Sequence, residues 1–453
     1  MYSRLKNTVV NGMFQRYYAI LATLILISII YGLIFTSMYL KTITKIHNNV
    51  YFNHFNGTQM HSKDKWIGNS RLLKWNDTEH PHPKWITRSG PFVQLLKMKT
   101  PVFLPGIKNP CWYGDDDNRR EIWIQHLCNK FKSRNTNLCS IYSPRKKPKN
   151  IRLLRCLPYF MLIGQPKSGS TDLFYRIMKH PDVLSGISKE PHWLPRRRHC
   201  QYLDTEYCPS TDPWTLTEYI DYFNSAAERI HDSNNTQRMN FITGEGSQST
   251  LWDLQWWWKF PENKNDEEPG LLNAHLVRHF LPDVKLLVIL RNPVDRLYSD
   301  YLFFNPDETK SAEVFHSRVS RSVALFKDCL MTHSLRHCAY KGKCGDVRLT
   351  IGLYSVYLED WMTVFPRKQF FITSLDDYSK NQTLVASKIF KFLRLRDVDN
   401  YINRNPILNQ RKLSARRVGE MFNKTRVILE QFYKPFNQAL STLLNDSVFL
   451  WET

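Results

Sequence analysis

Apolar and polar stretches divide the chain into parts with different expected structures. Residues 17–40 form an uncharged, strongly apolar run, which is long enough to cross a bilayer because a spanning helix takes about 20 residues. Residues 41–95 are polar and basic with little periodicity, so they are predicted to form a stem. From about residue 157, short apolar runs alternate with amphipathic stretches, which predicts alternating strands and helices within a domain at 96–453.

Two apolar runs carry the strand prediction. Residues 284–290 (VKLLVIL) are typical of a strand that is buried on both faces, and residues 157–163 form a second short apolar run. A helix-like stretch at 171–179 follows the run at 157–163, and Asn292 with Pro293 provides a good helix start after the run at 284–290. The pattern predicts an α/β fold, a parallel sheet with helices on both faces and ligands beyond the carboxyl ends of its strands.

The apolar run at residues 17–40 favours an uncleaved signal anchor over a cleaved signal peptide. A signal peptide has an apolar region of about 7–15 residues that ends at a small-residue cleavage site, and this run is longer and lacks such a site. The slight positive excess before the run and the position of all sequons after it predict a cytosolic tail at 1–16 and a luminal body. The predicted glycosylation sites are Asn56, Asn76, Asn234, Asn381, Asn423 and Asn445.

Charge and cysteine content narrow the class of partner and the compartment. The formal net charge of +22 predicts an anionic partner: nucleic acid, an anionic membrane or an acidic polymer such as a sulfated glycan. The anchor and the sequons argue against a nucleic-acid partner. Nine cysteines fit an oxidising lumen, and their odd number leaves at least one free or intermolecular. Local spacing suggests the pair Cys200–Cys208 and one pair among Cys329, Cys338 and Cys344.

The segment at residues 164–171 (GQPKSGST), here called the glycine loop, has the composition of a phosphate cradle. Glycines let the backbone approach an anion, and the free N–H groups at the start of the following helix point towards it. The spacing is not that of a Walker A loop, because the lysine precedes the second glycine. An ordinary Gly/Ser turn is the alternative. The candidate binding residues are Lys167, Ser168, Gly169, Ser170 and Thr171.

A second anion-binding element follows the VKLLVIL run. Arg291 closes this strand, and Ser299 lies about two turns along the next helix. The two side chains could hold one phosphate through charge-assisted and neutral hydrogen bonds. The alternative is that Arg291 pairs with a carboxylate and Ser299 is an exposed helix residue.

The two elements, in this order, resemble the PAPS-dependent sulfotransferases, with the glycine loop similar to their 5′-phosphosulfate loop and Arg291 and Ser299 similar to their 3′-phosphate motif. Other segments narrow the resemblance to the carbohydrate sulfotransferases related to N-acetylgalactosamine 4-sulfate 6-O-sulfotransferase. These segments are KEPHW at 189–193, STLWD at 249–253, GLY at 352–354 and FYKPFN at 432–437. The resemblance covers about residue 103 to the C-terminus. The sequence departs from it at Ser168 and Ser170, where relatives often carry Cys or Thr.

The resemblance implies a P-loop-like fold that binds PAPS without a metal ion. It implies that Lys167 contacts the 5′-phosphosulfate and supplies the charge that Mg²⁺ supplies in kinases. By the same resemblance, Arg291 and Ser299 hold the 3′-phosphate that distinguishes PAPS from ATP.

A sulfotransferase also needs a base, since a sugar hydroxyl must lose its proton as the new bond forms. In the related heparan sulfate sulfotransferases, a glutamate that follows a lysine is the base, which implies this role for Glu190, with His192 as the second candidate. A salt bridge between Glu190 and Lys189 is the structural alternative. An anionic acceptor is the predicted partner of Lys189 and of three consecutive arginines, for which a solvated basic face is the alternative. These arginines are Arg196, Arg197 and Arg198.

The function that the resemblance implies is that of a Golgi membrane enzyme, with its catalytic domain in the lumen, that sulfates a glycosaminoglycan. The expected position is C6 of N-acetylgalactosamine 4-sulfate in chondroitin or dermatan sulfate. Three alternatives stay open: a sulfotransferase for another glycan such as heparan sulfate, an ATP-dependent phosphotransferase, and a non-catalytic polyanion-binding membrane glycoprotein. The sequence also leaves a homodimer open.

Overall fold

The structure of the protein is a computed structural model. It describes residues 88–115, 152–186, 189–202, 213–305, 309–341, 345–398 and 418–452. The predicted tail and anchor, most of the predicted stem, and Asn56 and Asn76 lie outside the described residues. Within the described ranges, no helix combines the length and the apolar character that crossing a membrane requires.

A five-stranded parallel sheet forms the centre of the fold, with the strand order β4-β5-β3-β6-β7. A separate antiparallel pair, β1 with β2, is closed by a disulfide between Cys111 and Cys156. The strands are β1 (Cys111–Asp115), β2 (Arg152–Cys156), β3 (Phe160–Gly164), β4 (Val183–Leu184), β5 (Ile242–Glu245), β6 (Lys285–Leu290) and β7 (Phe370–Ser374).

Helices connect and cover these strands. The first group is α1 (Pro91–Lys97), α2 (Ser170–Met178), α3 (Leu216–Asp221), α4 (Asn224–His231), α5 (Asn235–Arg238) and α6 (Asn273–Phe280). The second group is α7 (Pro293–Phe304), α8 (Ala312–Thr332), α9 (Leu335–Tyr340), α10 (Tyr354–Val364), α11 (Leu375–Lys380), α12 (Gln382–Phe392) and α13 (Asn423–Leu444).

Strand β6 shows why the sheet is covered on both faces. Its side chains alternate between two hydrophobic clusters: Leu286, Val288 and Leu290 lie in the larger one, and Leu287 and Ile289 lie in the other. Because successive side chains of a strand point to opposite faces, a continuous apolar run requires an apolar partner on each face. The predicted parallel sheet with helices on both faces is confirmed.

The sequence placed the central elements to within a few residues. The predicted strand at 157–163 begins three residues later, at Phe160, because the segment before it contains Pro158, which has no N–H to donate to a ladder. The helix after β6 begins as predicted at Pro293, where the Asn292 side chain accepts from the N–H of Val294 at 3.0 Å.

Helix α1 belongs to the same core although it spans the predicted boundary between stem and domain at residue 95. Its buried residues Phe92, Val93 and Leu96 pack in the larger cluster. Among the predicted cysteine pairs, Cys329–Cys338 is confirmed. Cys200 is disulfide-bonded as well, whereas Cys208 lies outside the described residues.

Candidate functional site

The glycine loop connects the carboxyl end of β3 to the start of α2. The N–H of Gln165 donates to the carbonyl of Ile289 at 2.9 Å, which ties the loop to β6. Gly169 caps α2 with a φ of 85°, in the left-handed region, and a Cβ on it would lie 2.9 Å from a methyl group of Leu375. Only glycine meets both demands without strain or displacement. The loop can therefore hold the backbone of Ser168, Gly169 and Ser170 close to a ligand at the N-terminus of α2.

Two unsatisfied donors in the loop fit an anionic ligand. The hydroxyl of Ser168 and the side-chain NH₂ group of Gln165 are buried and have no hydrogen-bond partner among the described residues, and the same holds for the Gln165 side-chain oxygen, which can only accept. Such atoms are costly to bury in a folded protein unless a ligand pairs with them. Lys167 adds a cation: its ammonium lies 3.6 Å from the centroid of the Phe303 ring, and its φ of 65° is unusual for a residue with a Cβ.

Arg291, a candidate phosphate-binding residue, lies against this loop. It follows the last residue of β6, and its guanidinium donates to the carbonyl of Lys167 at 3.3 Å. The hydroxyl of Tyr354 donates to the carbonyl of Arg291 at 2.9 Å and fixes the backbone there. Ser299 is half-buried on α7, the helix that starts two residues after Arg291, and Thr171 is half-buried in the first turn of α2. The carboxyl ends of two adjacent strands thus carry both predicted anion-binding elements.

The KEPHW segment forms a compact charged group. The ammonium of Lys189 contacts Oε1 of Glu190, and Nε2 of His192 lies 3.6 Å from Oε2 of the same carboxylate. Glu190 and His192 have φ values of 67° and 50°. Left-handed backbone at residues other than glycine costs about 1–3 kcal/mol each and concentrates at functional sites. The surrounding structure therefore holds these two side chains in a conformation that the segment alone would not adopt.

Burial and ion pairing have opposite effects on the pKa of Glu190. Burial alone would raise the pKa of Glu190, but the contacts with His192 and Lys189 outweigh it and lower the pKa to about 2. Burial is the main cause that lowers the pKa of Lys189 and that of His192. Glu190 is therefore an ionised carboxylate at neutral pH, and burial favours a neutral His192 imidazole.

The segment at residues 247–253 supports this group, although the sequence assigned it no role. The hydroxyl of Ser247 accepts from the backbone N–H of His192 at 3.0 Å, and the hydroxyl of Ser249 lies 2.6 Å from Nδ1 of the His192 ring. The ammonium of Lys189 also donates to the side-chain oxygen of Gln248 at 3.2 Å. The N–H of Leu251 donates to the carbonyl of Ile163 in β3 at 3.0 Å, so the KEPHW segment packs on a support that lies beside the glycine loop.

Glu245 is a further buried carboxyl group that the sequence missed. It ends β5, lies directly before this support, and accepts from the hydroxyl of Tyr219 at 3.3 Å. Burial raises its pKa to about 7, against smaller opposing effects from Ser247, Tyr219 and Lys189. The sequence feature that could have identified Glu245 is a carboxylate at the carboxyl end of a parallel strand, since ligands bind at this edge of the sheet.

The sequence matches a known protein family over more than half of its length. Residues 157–437 match the sulfotransferase domain family. The chain belongs to the sulfotransferase family. Membership identifies this sulfotransferase as a transferase enzyme and implies PAPS as its sulfate donor.

Named relatives of this sulfotransferase fall into two groups. It is 38% identical to carbohydrate sulfotransferase 15 of Rattus norvegicus over 82% of this chain and 71% of the rat protein. It is 21% identical to bifunctional heparan sulfate N-deacetylase/N-sulfotransferase 4 of Mus musculus over 78% of this chain and 35% of that protein. A solved sulfotransferase from Alicyclobacillus acidocaldarius is 20% identical and aligns with 65% of this chain and 98% of its own, with a TM-score of 0.44.

The three arginines of this sulfotransferase have different surroundings. Arg198 is buried; its guanidinium donates to the carbonyl of Leu194 and, at 3.1 Å, to the side chain of Asn273. This placement does not fit the predicted contact with an acceptor, because the charge does not reach the surface. Arg196 is half-buried and pairs with Asp253 at 2.6 Å, and Arg197 packs its guanidinium 4.1 Å from the ring centroid of Trp214.

The four described sequons of this sulfotransferase have exposed asparagines, as glycosylation requires; they are Asn234, Asn381, Asn423 and Asn445. One group of side chains with metal-ligand chemistry lies elsewhere among the described residues, at Cys329, His333 and His337. Its sulfur belongs to the Cys329–Cys338 disulfide and is therefore not a thiolate ligand.

Proposed function

We propose that this sulfotransferase transfers the sulfuryl group of PAPS to a hydroxyl of a glycosaminoglycan, with C6 of N-acetylgalactosamine 4-sulfate in chondroitin or dermatan sulfate as the specific acceptor. One observation carries the proposal. An ionised, partly exposed carboxylate, Glu190, belongs to a segment that packs on a support bonded to β3, directly beside the loop that this strand enters. A proton acceptor and an anion cradle at one edge of a sheet are the parts that sulfuryl transfer needs.

The donor site that we propose consists of the glycine loop with Arg291 and Ser299. Backbone N–H groups at the start of α2, together with the side chains of Ser168, Ser170 and Thr171, would hold the 5′-phosphosulfate. Lys167 would leave the Phe303 ring and place its charge on the oxygen that bridges phosphorus and sulfur. Arg291 and Ser299 would hold the 3′-phosphate. With this cation in the site, the proposal requires no metal ion.

Glu190 is the proposed general base. PAPS supplies the sulfuryl group and departs as 3′,5′-ADP. The acceptor hydroxyl gives its proton to Glu190 while its oxygen forms a bond to sulfur, and the electron pair of the breaking S–O bond goes to the phosphate oxygen. Lys189 contacts Glu190 directly, so the approach of the acceptor must loosen this ion pair before the carboxylate can receive the proton.

Charge favours a sulfated acceptor. The chain carries a net charge of +22, and Arg197, which is partly exposed, follows the proposed base closely in sequence. Carbohydrate sulfotransferase 15, the named relative at 38% identity, favours a sugar acceptor. Heparan sulfate is the second candidate, because a more distant relative is named for it.

A transfer assay with labelled PAPS against chondroitin, dermatan, heparan and keratan sulfates, followed by disaccharide analysis, tests this function. We expect transfer to chondroitin or dermatan sulfate and a rise of the acceptor KM with salt, since exposed charges are screened beyond a Debye length of about 8–10 Å near physiological ionic strength. In Arg197→Ala the acceptor KM should rise several-fold while the PAPS KM stays nearly constant. Arg321→Ala removes the same charge from a helix outside the site, in α8, and is the matched control. Equal use of neutral glycans would contradict the acceptor assignment and leave the family assignment intact.

We also propose that the enzyme is a type II protein of the Golgi membrane with its catalytic domain in the lumen. The apolar run at residues 17–40, the sequons after it and the disulfides support this topology. Digestion with an N-glycosidase should lower the apparent mass of the protein expressed in animal cells. An unglycosylated protein that is fully open to protease in sealed microsomes would contradict it.

A further inference from the structure

Ser249 contacts one nitrogen of the His192 ring, and the other ring nitrogen faces Glu190, the proposed base. Its hydroxyl oxygen is 2.6 Å from Nδ1 of His192, and the other ring nitrogen, Nε2, is 3.6 Å from Oε2 of Glu190. Ser249 and His192 are both buried. The three residues therefore form a line from a buried hydroxyl, through an imidazole, to a carboxylate that is partly open to solvent.

The hydrogen positions in this line follow from the chemistry of its ends. An ionised carboxylate attracts an N–H and repels a lone pair, so the charge of Glu190, 3.6 Å away, favours the hydrogen on the nitrogen that faces it. A neutral imidazole has one ring hydrogen, which leaves Nδ1 as an acceptor, and Ser249 then donates its O–H to Nδ1. Arg196 and Asp253 also act on His192, and these two charged groups pair with each other at 2.6 Å.

We propose that Ser249 is a positioning residue for sulfuryl transfer: its hydroxyl holds His192 in the Nε2–H tautomer, which directs a hydrogen at Oε2 of Glu190 and orients the carboxylate for the acceptor. The proposal rests on the proposed function, in which Glu190 is the base. Ser249 and His192 keep their own hydrogens throughout; the one proton that moves passes from the acceptor hydroxyl to Glu190.

Loss of the Ser249 hydroxyl removes the constraint on the tautomer. Without the Ser249 hydroxyl at Nδ1, the ring hydrogen can move to that nitrogen, and a lone pair on Nε2 would then face the carboxylate and repel it. An imidazole in the wrong tautomer loses much of its catalytic contribution even where the site keeps its geometry. Ser249 should therefore affect the rate of transfer and not the binding of the donor.

Threonine and valine at position 249 provide a matched pair, because they have the same shape and differ in the hydroxyl. We expect Ser249→Thr to keep most of the transfer rate, and Ser249→Val and Ser249→Ala to lose about tenfold or more in kcat, with the KM for PAPS nearly unchanged. Ser247→Ala removes the neighbouring hydroxyl, which bonds to the backbone of His192 and not to its ring. Ser247→Ala therefore measures how much of a loss in transfer rate comes from loosening the KEPHW segment alone.

The second measurement is the tautomer itself, observed by ¹⁵N NMR of the histidine ring nitrogens in the full-length protein, with His192→Gln to assign the signal. We expect an acceptor-type Nδ1 and a protonated Nε2 in the native protein and a mixed or reversed pattern in Ser249→Ala. Equal rates in Ser249→Thr and Ser249→Val, or an unchanged tautomer in Ser249→Ala, would overturn the proposal. If both branched variants unfold, the rate and the tautomer of Ser249→Ala decide. Failure of the proposed function would show separately, as a native transfer rate in Glu190→Gln.

Discussion

Glu190→Gln should bind 3′,5′-ADP as the native protein does and lose at least about 100-fold of the transfer rate, since a positioned base contributes about 10²- to 10⁴-fold. The amide keeps the size of the carboxylate and can still accept from His192, but it does not take up a proton as the carboxylate does. The measurement is kcat with saturating PAPS and acceptor, beside ADP affinity and thermal stability. The same measurements are made on His192→Ala, because His192 is the second candidate for the base.

Stability must be followed in this experiment because the carboxylate also supports the fold. The pKa of Glu190 is lowered from 4.5 to about 2, so its ionised form stabilises the folded state above about pH 4.5, and this contribution is lost as the pH falls through about 2. Glu190→Gln removes this contribution and leaves the largely buried Lys189 without its carboxylate partner. A loss of activity that is matched by unfolding would mean that the salt bridge is structural.

The same pKa shapes the pH dependence of catalysis. Glu190 stays ionised down to about pH 2 in the free enzyme, so its protonation does not limit kcat/KM near neutral pH. A fall in rate near pH 7 would therefore belong to another group, such as Glu245, whose pKa is raised to about 7 by burial. If His192→Ala lost more activity than Glu190→Gln, the base assignment would move to the histidine.

Lys167→Ala should lower kcat by about 10²- to 10³-fold, the cost of removing a group that meets developing charge in a transition state. Arg291→Ala should instead raise the KM for PAPS, because it would hold a phosphate that is remote from the reacting bond, although remote binding can also assist kcat. Lys179→Ala removes an equal charge at the C-cap of α2, the end of this helix that lies away from the loop, and is the matched control.

Steady-state kinetics over a range of PAPS concentrations separate the two effects. A second check uses Phe303, whose ring holds the Lys167 ammonium at 3.6 Å: Phe303→Leu should leave the lysine freer to reach a ligand and should cost little activity. Native rates in both Lys167→Ala and Arg291→Ala would mean that the donor binds elsewhere. Equal losses in Lys179→Ala would indicate a general effect of charge and not a site.

The apolar pattern determined the layers of the fold, since the sheet with helices on both faces follows from the continuous run at residues 284–290. Local chemistry also determined the glycine loop and the Asn292 cap, because each depends on residues that are neighbours in the chain. The resemblance singled out Glu190 and His192 from the KEPHW segment. These features need only sequence spacing and the geometry of strands and helices.

Tertiary structure decided which groups meet and how they are charged. Ser247, Ser249 and Glu245 lie more than 50 residues from the KEPHW segment in the chain, and the parallel pairing of β4 with β5 brings the residues that follow these two strands together. Burial then distinguished three adjacent arginines that the sequence treats as equal, because Arg198 turns into the core towards Asn273, Arg196 pairs with the buried Asp253, and Arg197 stays partly exposed. Burial and distance set the pKa of a carboxylate and the tautomer of a histidine, and neither quantity is encoded in the order of residues along the chain.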